Sequence, residues 1–331
     1  MRILIPGGTG QVGTLLARHL YKAGHEVTVL TRNIKGHPEQ RWRTLAWDGV
    51  NPGPWADEID RSDAVIHLSG RSVNCRYTDE NRREIMDSRV KPTLLLGQLI
   101  AASPTPPRVW MNASTATFYR NALDLPQDEF SGEPGDLPGQ RGVHEPRTLP
   151  ASWAFSIDVA HKWEAALRAT PTPNTRQIAL RTSLALSPDR GGVFSVFANL
   201  CRFGLGGTQG SGKQYISWMH EHDYCRATDL LLEQPEITDE TGGIVNMTAP
   251  EPLPNKEFFR VLREAMGVRV GLPAPAWLLE IGTFLLRTES ELVLKSRRAV
   301  PTLLLKHNFD FLYPTFPQAA RNLVRRLKTA Q

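Results

Sequence analysis

The sequence is poor in cysteine, in long apolar runs and in runs of like charge. Three cysteines stand among 331 residues, Cys75, Cys201 and Cys225, without C-x-x-C spacing. This usage is typical of a reducing compartment such as the cytoplasm and indicates neither disulfides nor a cysteine zinc site. The apolar stretch 277–286 is short and is interrupted by Glu280, so it predicts a buried helix and not a membrane span. The net charge of +5 is spread along the chain and marks no nucleic-acid arm.

The N-terminal turn is the most informative stretch. A short apolar run at residues 3–5 leads into three glycines at a spacing of three, and an amphipathic helix is predicted to follow. Gly7 allows the chain to reverse, Gly10 allows backbone N–H groups to approach a pyrophosphate, and Gly13 allows the helix to pack closely on the strand. The pyrophosphate would then lie at the positive end of that helix. The predicted cofactor contacts at this turn are Gly7, Thr9, Gly10, Gln11, Val12 and Gly13. The alternative is a structural glycine turn in an unrelated α/β domain.

The second predicted strand, residues 27–30, ends where such sites usually select their cofactor. An NAD site usually has an acidic residue about 20 residues beyond the glycines, whereas this chain has Thr31-Arg32-Asn33. An acid would repel the 2′-phosphate of NADP, but a guanidinium can bind it through paired hydrogen bonds, with Lys35 close enough to help. The sequence therefore predicts NADP(H), with Arg32 on the 2′-phosphate. The alternative is a solvated arginine at a strand end.

Further apolar segments predict a Rossmann-type, doubly wound parallel sheet in an α/β fold. Strands three to six are predicted at residues 41–48, 63–70, 108–112 and 177–186, and helices at residues 79–102 and 153–169. Ligands collect at the carboxyl ends of the strands of such a sheet. The residues expected there are Asp48 beside the adenine, then Leu68, Ser69, Gly70 and Asn112.

The second half of the chain has shorter elements and glycine-rich turns. We predict a Rossmann-type domain over residues 1–187 and a smaller C-terminal α+β domain over residues 188–331 that caps the substrate. A strand near residues 244–246 is a candidate to rejoin the main sheet. Residues 124–150 are rich in proline, glycine and acids and predict a loop, either a lid over the site or a disordered segment.

Seven stretches along the chain resemble the extended short-chain dehydrogenase/reductase superfamily, which includes nucleotide-sugar epimerases and dehydratases. More closely, they resemble an atypical epimerase-like family with a C-terminal domain of unknown function. The stretches are GGTGQVG at 7–13, DAVIHLSG at 63–70, DSRV at 87–90, WEAA at 163–166, FGLGG at 203–207, GSGKQ at 210–214 and NMTAP at 246–250. The resemblance implies a family-specific helical end over residues 262–331. It also implies that the following residues line the cofactor: Thr31, Arg32, Leu68, Ser69, Glu84, Arg89 and Leu186.

The chain departs from that superfamily by lacking its proton-transferring Tyr-x-x-x-Lys pair. None of the six tyrosines has a lysine four residues later, and alignment on the WEAA stretch puts Ser156 and Ala160 at the positions of the pair. Ser114 or Thr115 holds the position of the superfamily's catalytic serine or threonine and could hydrogen-bond a substrate oxygen. Tyr119, just beyond it, is a candidate acid, and the alternative is a packing tyrosine.

Two functions therefore remain open. The first is an NADP(H)-dependent oxidoreductase or epimerase-type enzyme with a non-standard site and an unknown small-molecule substrate. The second is an NADP(H)-binding sensor or partner-binding module without chemistry. Arg181 is a candidate either for binding an anionic substrate or for a structural ion pair. Family habit suggests a homodimer through the helices at 79–102 and 153–169. We expect no nucleic acid, membrane or metal partner, since His220 and His222 lack a third ligand nearby.

Overall fold

A computed structural model describes residues 1–34, 41–136, 149–189, 191–279 and 289–329. The predicted phosphate ligand Lys35 lies outside the described residues. So do residues 137–148 of the predicted loop.

Eleven strands lie in the described ranges. They are β1 (Arg2–Pro6), β2 (Glu26–Thr31), β3 (Arg43–Ala46), β4 (Ala64–His67), β5 (Val109–Thr115), β6 (Arg176–Thr182), β7 (Leu184–Leu186), β8 (Tyr215–Ile216), β9 (Trp218–His220), β10 (Ile244–Met247) and β11 (Leu253–Pro254). Seven of them form one parallel sheet in the order β10-β6-β5-β4-β1-β2-β3. This order confirms the predicted Rossmann-type sheet, in which the direction of winding reverses beside β1.

The helices of the described ranges cover both faces of this sheet and build the C-terminal part. They are α1 (Gln11–Lys22), α2 (Asp57–Arg61), α3 (Asp79–Ala102), α4 (Ala151–Arg168), α5 (Val193–Arg202), α6 (Glu221–Glu233), α7 (Asn255–Met266), α8 (Glu291–Leu294), α9 (Thr302–Lys306) and α10 (Phe316–Thr329). Short 3₁₀ helices lie at Pro54–Ala56, Ala116–Phe118 and Pro235–Thr241. None of these helices is both long and apolar enough to cross a membrane.

The sheet is buried on both faces because alternate residues of its inner strands point to opposite sides. In β1, Ile3 and Ile5 belong to an apolar cluster that includes Leu16 and Leu20 of α1. Leu4 belongs to a different cluster, formed with residues of α3 and β5. Two helical layers therefore cover the sheet, as a parallel sheet requires.

The predicted helix over residues 79–102 matches α3 at both ends. The Thr78 side chain caps its N-terminus by accepting a hydrogen bond from the Asn81 N–H. The predicted sixth strand over 177–186 is wrong as a single element, because the chain leaves the sheet at Ser183. There Leu184 donates its N–H to the Ser217 carbonyl, and β7 pairs with β9 outside the main sheet.

The C-terminal part has a core of its own but shares the central sheet. Phe194 of α5, Phe258 of α7 and Phe316 of α10 are buried together, and the last two rings stack at 4.0 Å. β10 extends the main sheet by pairing in parallel with β6. The second half of the chain thereby supplies an edge strand of the main sheet.

Candidate functional site

A groove of about 680 Å³ runs across the carboxyl ends of β1, β2 and β4, and the first half of α3 forms one of its walls. Ten of the predicted cofactor residues line it: Gly7, Thr9, Gly10, Thr31, Arg32, Asp48, Leu68, Ser69, Gly70 and Glu84. The groove lies where the winding of the sheet reverses, which is the usual ligand position in this type of sheet.

The three glycines of the first turn have different surroundings. Gly7 has a φ of +79°, and a Cβ there would lie 2.6 Å from the Ser69 nitrogen. A Cβ at Gly13 would lie 2.5 Å from the Gly8 Cα. A Cβ at Gly10 would meet nothing closer than the Gly7 carbonyl at 3.6 Å and would project into open space. Gly7 and Gly13 are therefore required by the protein itself, whereas Gly10 leaves room for a ligand.

Two buried polar atoms next to this turn have no hydrogen-bond partner among the described residues. They are the Ser69 Oγ and the Gln11 Nε2. The first turn of α1 has no side-chain cap and no acidic residue, so its backbone N–H groups are free to bind an anion. Buried polar atoms are rarely left without a partner. These donors fit the phosphates and hydroxyls of a bound dinucleotide.

The end of β2 presents a cation to the groove. The Thr31 hydroxyl lies 3.1 Å from the Thr9 hydroxyl and also accepts the Asn33 N–H, which fixes this corner. Arg32 is exposed and lines the groove, and no described carboxylate lies within ion-pair distance of it. By contrast, Arg43 on the neighbouring strand is paired with Glu58 at 2.9 Å. Arg32 is the guanidinium available to a phosphate at this corner.

Asp48 shapes the rim of the groove. Its carboxylate accepts hydrogen bonds from the Val50 and Asn51 N–H groups, both at 2.8 Å, and from the Asn51 side chain. These bonds hold the pKa of Asp48 down at about 2. The carboxylate is therefore ionised and closes the turn that follows β3.

Glu84 and Arg89 of α3 have different positions. Glu84 lines the groove and forms an ion pair with Arg71. Arg89 is half-buried behind Gly70 and donates to the Ile85 and Arg71 carbonyls at 2.9 and 3.0 Å. Burial lowers the pKa of Arg89 to about 10, so it remains charged near neutrality. Arg89 supports the wall of the groove and is not part of its lining.

Three other predicted cofactor residues do not line the groove. Val12 packs against the core of the sheet. Asn112 is buried, and its Oδ1 lies 2.6 Å from the Nδ1 of His67, whose pKa burial lowers to about 4. Leu186 is fully buried with the aromatic residues of the C-terminal core.

The two candidate catalytic side chains are already engaged within the protein. The Ser114 hydroxyl donates to Glu164 at 2.5 Å, and Arg181 forms a two-point ion pair with the same carboxylate at 2.8 Å. The Tyr119 hydroxyl donates to the Asn246 Oδ1 at 2.9 Å, and burial raises the pKa of Tyr119 to about 12. Arg181 was a candidate for binding an anionic substrate or for a structural ion pair, and the structure shows the ion pair, with Glu164.

Residues that the sequence analysis missed also line the groove. On α3 these are Asp87, Ser88 and Lys91, and Arg71 and Trp47 lie nearby. The spacing of Glu84, Asp87, Ser88 and Lys91 places them on one face of a helix, so helical periodicity anchored on Glu84 could have found them.

Two curated relatives match nearly the whole chain. The human epimerase family protein SDR39U1 is 29% identical over 327 residues, which are 98% of this chain and 100% of that protein. The Staphylococcus saprophyticus epimerase family protein SSP1921 is 31% identical over 324 residues, which are 97% of this chain and 98% of that protein.

Solved structures and family profiles agree with these relatives. A crystal structure of human SDR39U1 (isoform 2) with NADPH has a TM-score of 0.79 and 28% identity, and the match covers 99% of this chain and 100% of that one. The profile of a domain of unknown function, DUF1731, matches residues 274–323. The profile of the NAD dependent epimerase/dehydratase family matches residues 3–247. The chain therefore belongs to the NAD dependent epimerase/dehydratase family.

Proposed function

We propose that this protein binds NADP(H) in the groove and uses it as an oxidoreductase or epimerase-type enzyme on an unknown small-molecule substrate. The observation that carries the proposal is Arg32, an exposed guanidinium in the groove without an ion-pair partner among the described residues. The NADPH-bound structure of human SDR39U1 supports the same cofactor. When bound, the nicotinamide ring would supply hydride transfer.

Each part of the groove has a role in this proposal. The N-terminus of α1 and Gly10 would receive the pyrophosphate. Thr31 and Arg32 would bind the ribose 2′-phosphate, since a guanidinium matches a phosphate in two-point hydrogen bonds. The unpartnered Ser69 Oγ and Gln11 Nε2 would form hydrogen bonds with the nucleotide. Leu68, Gly70 and Glu84 would complete the walls.

A second candidate function is NADP(H) binding without chemistry, as a sensor or a partner-binding module. It is favoured by the internal hydrogen bonds of Ser114 and Tyr119, the two residues expected to do chemistry. The three free cysteines agree with a reducing compartment such as the cytoplasm.

Calorimetric titration with NADPH and with NADH tests the cofactor. We expect NADPH to bind about 10- to 100-fold more tightly, because charge-assisted hydrogen bonds contribute roughly 1.5–3 kcal/mol. Arg32→Asp should remove this preference and leave NADH affinity nearly unchanged. Arg202→Asp makes the same charge change on an exposed arginine of α5 and should bind like the unmodified protein. Failure of both nucleotides to bind would overturn both candidate functions.

A turnover screen separates the two functions. NADPH oxidation is followed with aldehydes and ketones, and NADP⁺ reduction with secondary alcohols and nucleotide sugars. Turnover of any of these compounds supports the enzyme. Tight NADPH binding without turnover across the panel favours the sensor.

A further inference from the structure

A second cavity lies between α1 and α6, with the loop at Leu312 and the last helix, α10, at its sides. Its volume is about 310 Å³. It shares no lining residue with the cofactor groove, and none of its lining residues belongs to a strand. A molecule bound there would lie along the helical layer that covers the sheet and not at the strand ends. The cavity is therefore a candidate for a separate ligand site.

Apolar side chains form part of the cavity wall. Leu15 of α1 and Cys225 of α6 are 4% and 6% exposed, and the Cys225 Sγ lies 4.0 Å from the Leu15 carbonyl oxygen. Burial raises the pKa of the Cys225 thiol well above its usual range, so the thiol is neutral. Leu312 adds an apolar side chain that is about half exposed. This wall offers an apolar surface to the body of a small ligand.

Two cations one helical turn apart line the same cavity. Arg18 and Lys22 have the spacing i, i+4 on α1, so they project from the same face of the helix. Among the described residues only the Nη2 of Arg18 is engaged, by Asp189 at 2.8 Å, and a guanidinium has five N–H donors. No described carboxylate lies within ion-pair distance of the exposed Lys22. Both side chains therefore have donors available to a bound anion.

The two other arginines of the cavity are compensated by carboxylates. Arg326 of α10 forms an ion pair with Glu221, which also lines the cavity. Arg226 of α6 lies 3.5 Å from the buried Asp223. Because Arg18 is paired as well, the positive charge left over is that of Lys22. A single surplus charge matches a monoanion such as a carboxylate better than a phosphate dianion.

The two histidines of the cavity do not change this balance. The His19 Nε2 lies 2.6 Å from the Asp229 carboxylate, so this ring has its own acidic partner. Burial and the nearby Arg326 lower the pKa of His222, which is therefore neutral near neutrality. The neutral His222 Nε2 accepts a hydrogen bond from the Arg326 Nη1 at 3.2 Å.

The loop that forms the wall at Leu312 is held in place by the protein itself. The Asp223 carboxylate accepts the Leu312 N–H at 2.8 Å and the Tyr313 N–H at 2.9 Å. Arg226 donates to the Asp310 carbonyl of the same loop. The cavity is thus formed without a ligand, as small-molecule sites usually are.

We propose that this cavity binds a small monocarboxylic acid with an apolar body. Its carboxylate would accept hydrogen bonds from Arg18 and Lys22, since charge-assisted bonds of this kind are the strong ones. Its hydrocarbon part would lie against the apolar wall of Leu15, Cys225 and Leu312. Such an acid is a second ligand and not the substrate of the proposed cofactor reaction, because the cavity and the groove have no residue in common.

Calorimetric titration with octanoate tests the site. Octanoate should bind at least about tenfold more tightly than octan-1-ol, which lacks the charge, and than acetate, which lacks the apolar body. Octan-1-ol or acetate binding as tightly as octanoate would overturn the proposal. So would inorganic phosphate binding as tightly, because the cavity would then select anions without regard to an apolar body.

A charge reversal at Lys22 locates the carboxylate. Lys22→Glu should weaken octanoate at least about tenfold, because the donor is lost and a like charge takes its place. Arg325→Glu makes the same change at an exposed residue of α10 that does not line the cavity, and it should bind octanoate like the unmodified protein. Full octanoate affinity in Lys22→Glu would overturn the proposal.

A matched pair of leucines locates the hydrocarbon. Leu312 and Leu305 are 51% and 46% exposed, and of the two only Leu312 lines the cavity. Both aspartate variants should fold, because neither side chain is buried, and thermal melts check this. Leu312→Asp should weaken octanoate about tenfold, since apolar contact is lost and a like charge is added, whereas Leu305→Asp should not. Equal octanoate affinity in the two variants would overturn the proposal.

The site is independent of the proposed cofactor. Octanoate should bind with the same affinity at saturating NADPH, because the two sites share no lining residue. Competition between octanoate and NADPH would place the acid in the groove and overturn the proposal. NADPH binding is measured separately by its fluorescence, so failure of the octanoate site and failure of the cofactor function are distinguishable.

Discussion

Glu129 is a half-buried carboxyl group whose ionisation should make stability depend on pH. Its two oxygens accept the Asn246 N–H at 2.8 Å and the Leu303 N–H at 3.3 Å. Burial raises its pKa from 4.5 to about 7, and these N–H groups offset only part of the rise. At Glu129 the folded protein therefore binds a proton more tightly than the unfolded chain does.

We predict from this that the contribution of Glu129 to stability is greatest below pH 4.5 and falls as the pH rises to about 7, where Glu129 ionises inside the protein. In Glu129→Gln this fall should be smaller, and at pH 8 the variant should be more stable by roughly 1–3 kcal/mol. Thermal unfolding between pH 4.5 and 8 measures it. The exposed Glu236→Gln is the control, and identical pH profiles for Glu129→Gln and the unmodified protein would contradict the prediction.

Two glycines of the first turn should affect different properties, Gly10 the binding of the nucleotide and Gly13 the stability of the fold. An alanine methyl at Gly10 would project into open space, whereas one at Gly13 would collide with Gly8. Gly10→Ala should therefore keep its melting temperature but lose at least about tenfold in NADPH affinity, since the methyl occupies the approach to the pyrophosphate. Gly13→Ala should unfold at a lower temperature. NADPH binding by Gly10→Ala at full affinity would show that the nucleotide lies elsewhere.

At the scale of elements, an ion pair connects β6 to α4 across the end of the sheet. The Arg181 and Glu164 side chains are 5% and 16% exposed, and the Arg181 guanidinium also lies 3.5 Å from the centre of the Phe118 ring. Removing one member of a buried pair leaves the other charge without compensation, which costs about 3–5 kcal/mol.

We predict that Arg181→Met lowers the free energy of unfolding by about 3 kcal/mol. The double variant Arg181→Met, Glu164→Leu should recover part of that loss, because no isolated charge remains buried. Urea titrations of both single variants and the double variant give the coupling energy. Additive effects in this cycle would mean that the pair contributes nothing to the joint between β6 and α4.

Elements with a local pattern could be predicted from the sequence, and those fixed by distant partners could not. The glycine turn, α3 and the Arg32 corner are encoded by neighbouring residues through spacing and capping. The departure of β7 from the sheet depends on pairing with β9, more than 30 residues later. Periodicity along one segment carries no information about that partner.

The same limit applies to the site. The groove residues follow strand ends and one helix face, which a sequence displays directly. The hydrogen bond from Ser156 to Glu291 joins residues 135 positions apart. The sequence indicated only that Ser156 stands where a tyrosine was expected, and the phenol that approaches it, that of Tyr77, comes from a different element.

At the scale of the whole molecule, the outward faces of α3 and α4 are the surfaces through which the homodimer suggested by the family would form. Among the described residues, neither helix exposes a large apolar side chain. The outward face of α4 carries the ion pair of Lys162 with Asp158, whose side chains are 58% and 48% exposed. Stable interfaces have an apolar core from which charge is depleted.

We therefore predict that the protein does not dimerise through α3 and α4 and elutes with the mass of a single chain. Light scattering at micromolar concentration measures this. Asp158→Lys, which would place like charges on both copies of such an interface, should leave the mass unchanged. A mass of two chains that falls to one in Asp158→Lys would contradict the prediction and restore the family's dimer.

A mass of two chains that survives Asp158→Lys would indicate a different interface. The exposed Phe203 and Trp277 of the C-terminal part would then be the first side chains to replace, because they offer the apolar surface that α3 and α4 lack.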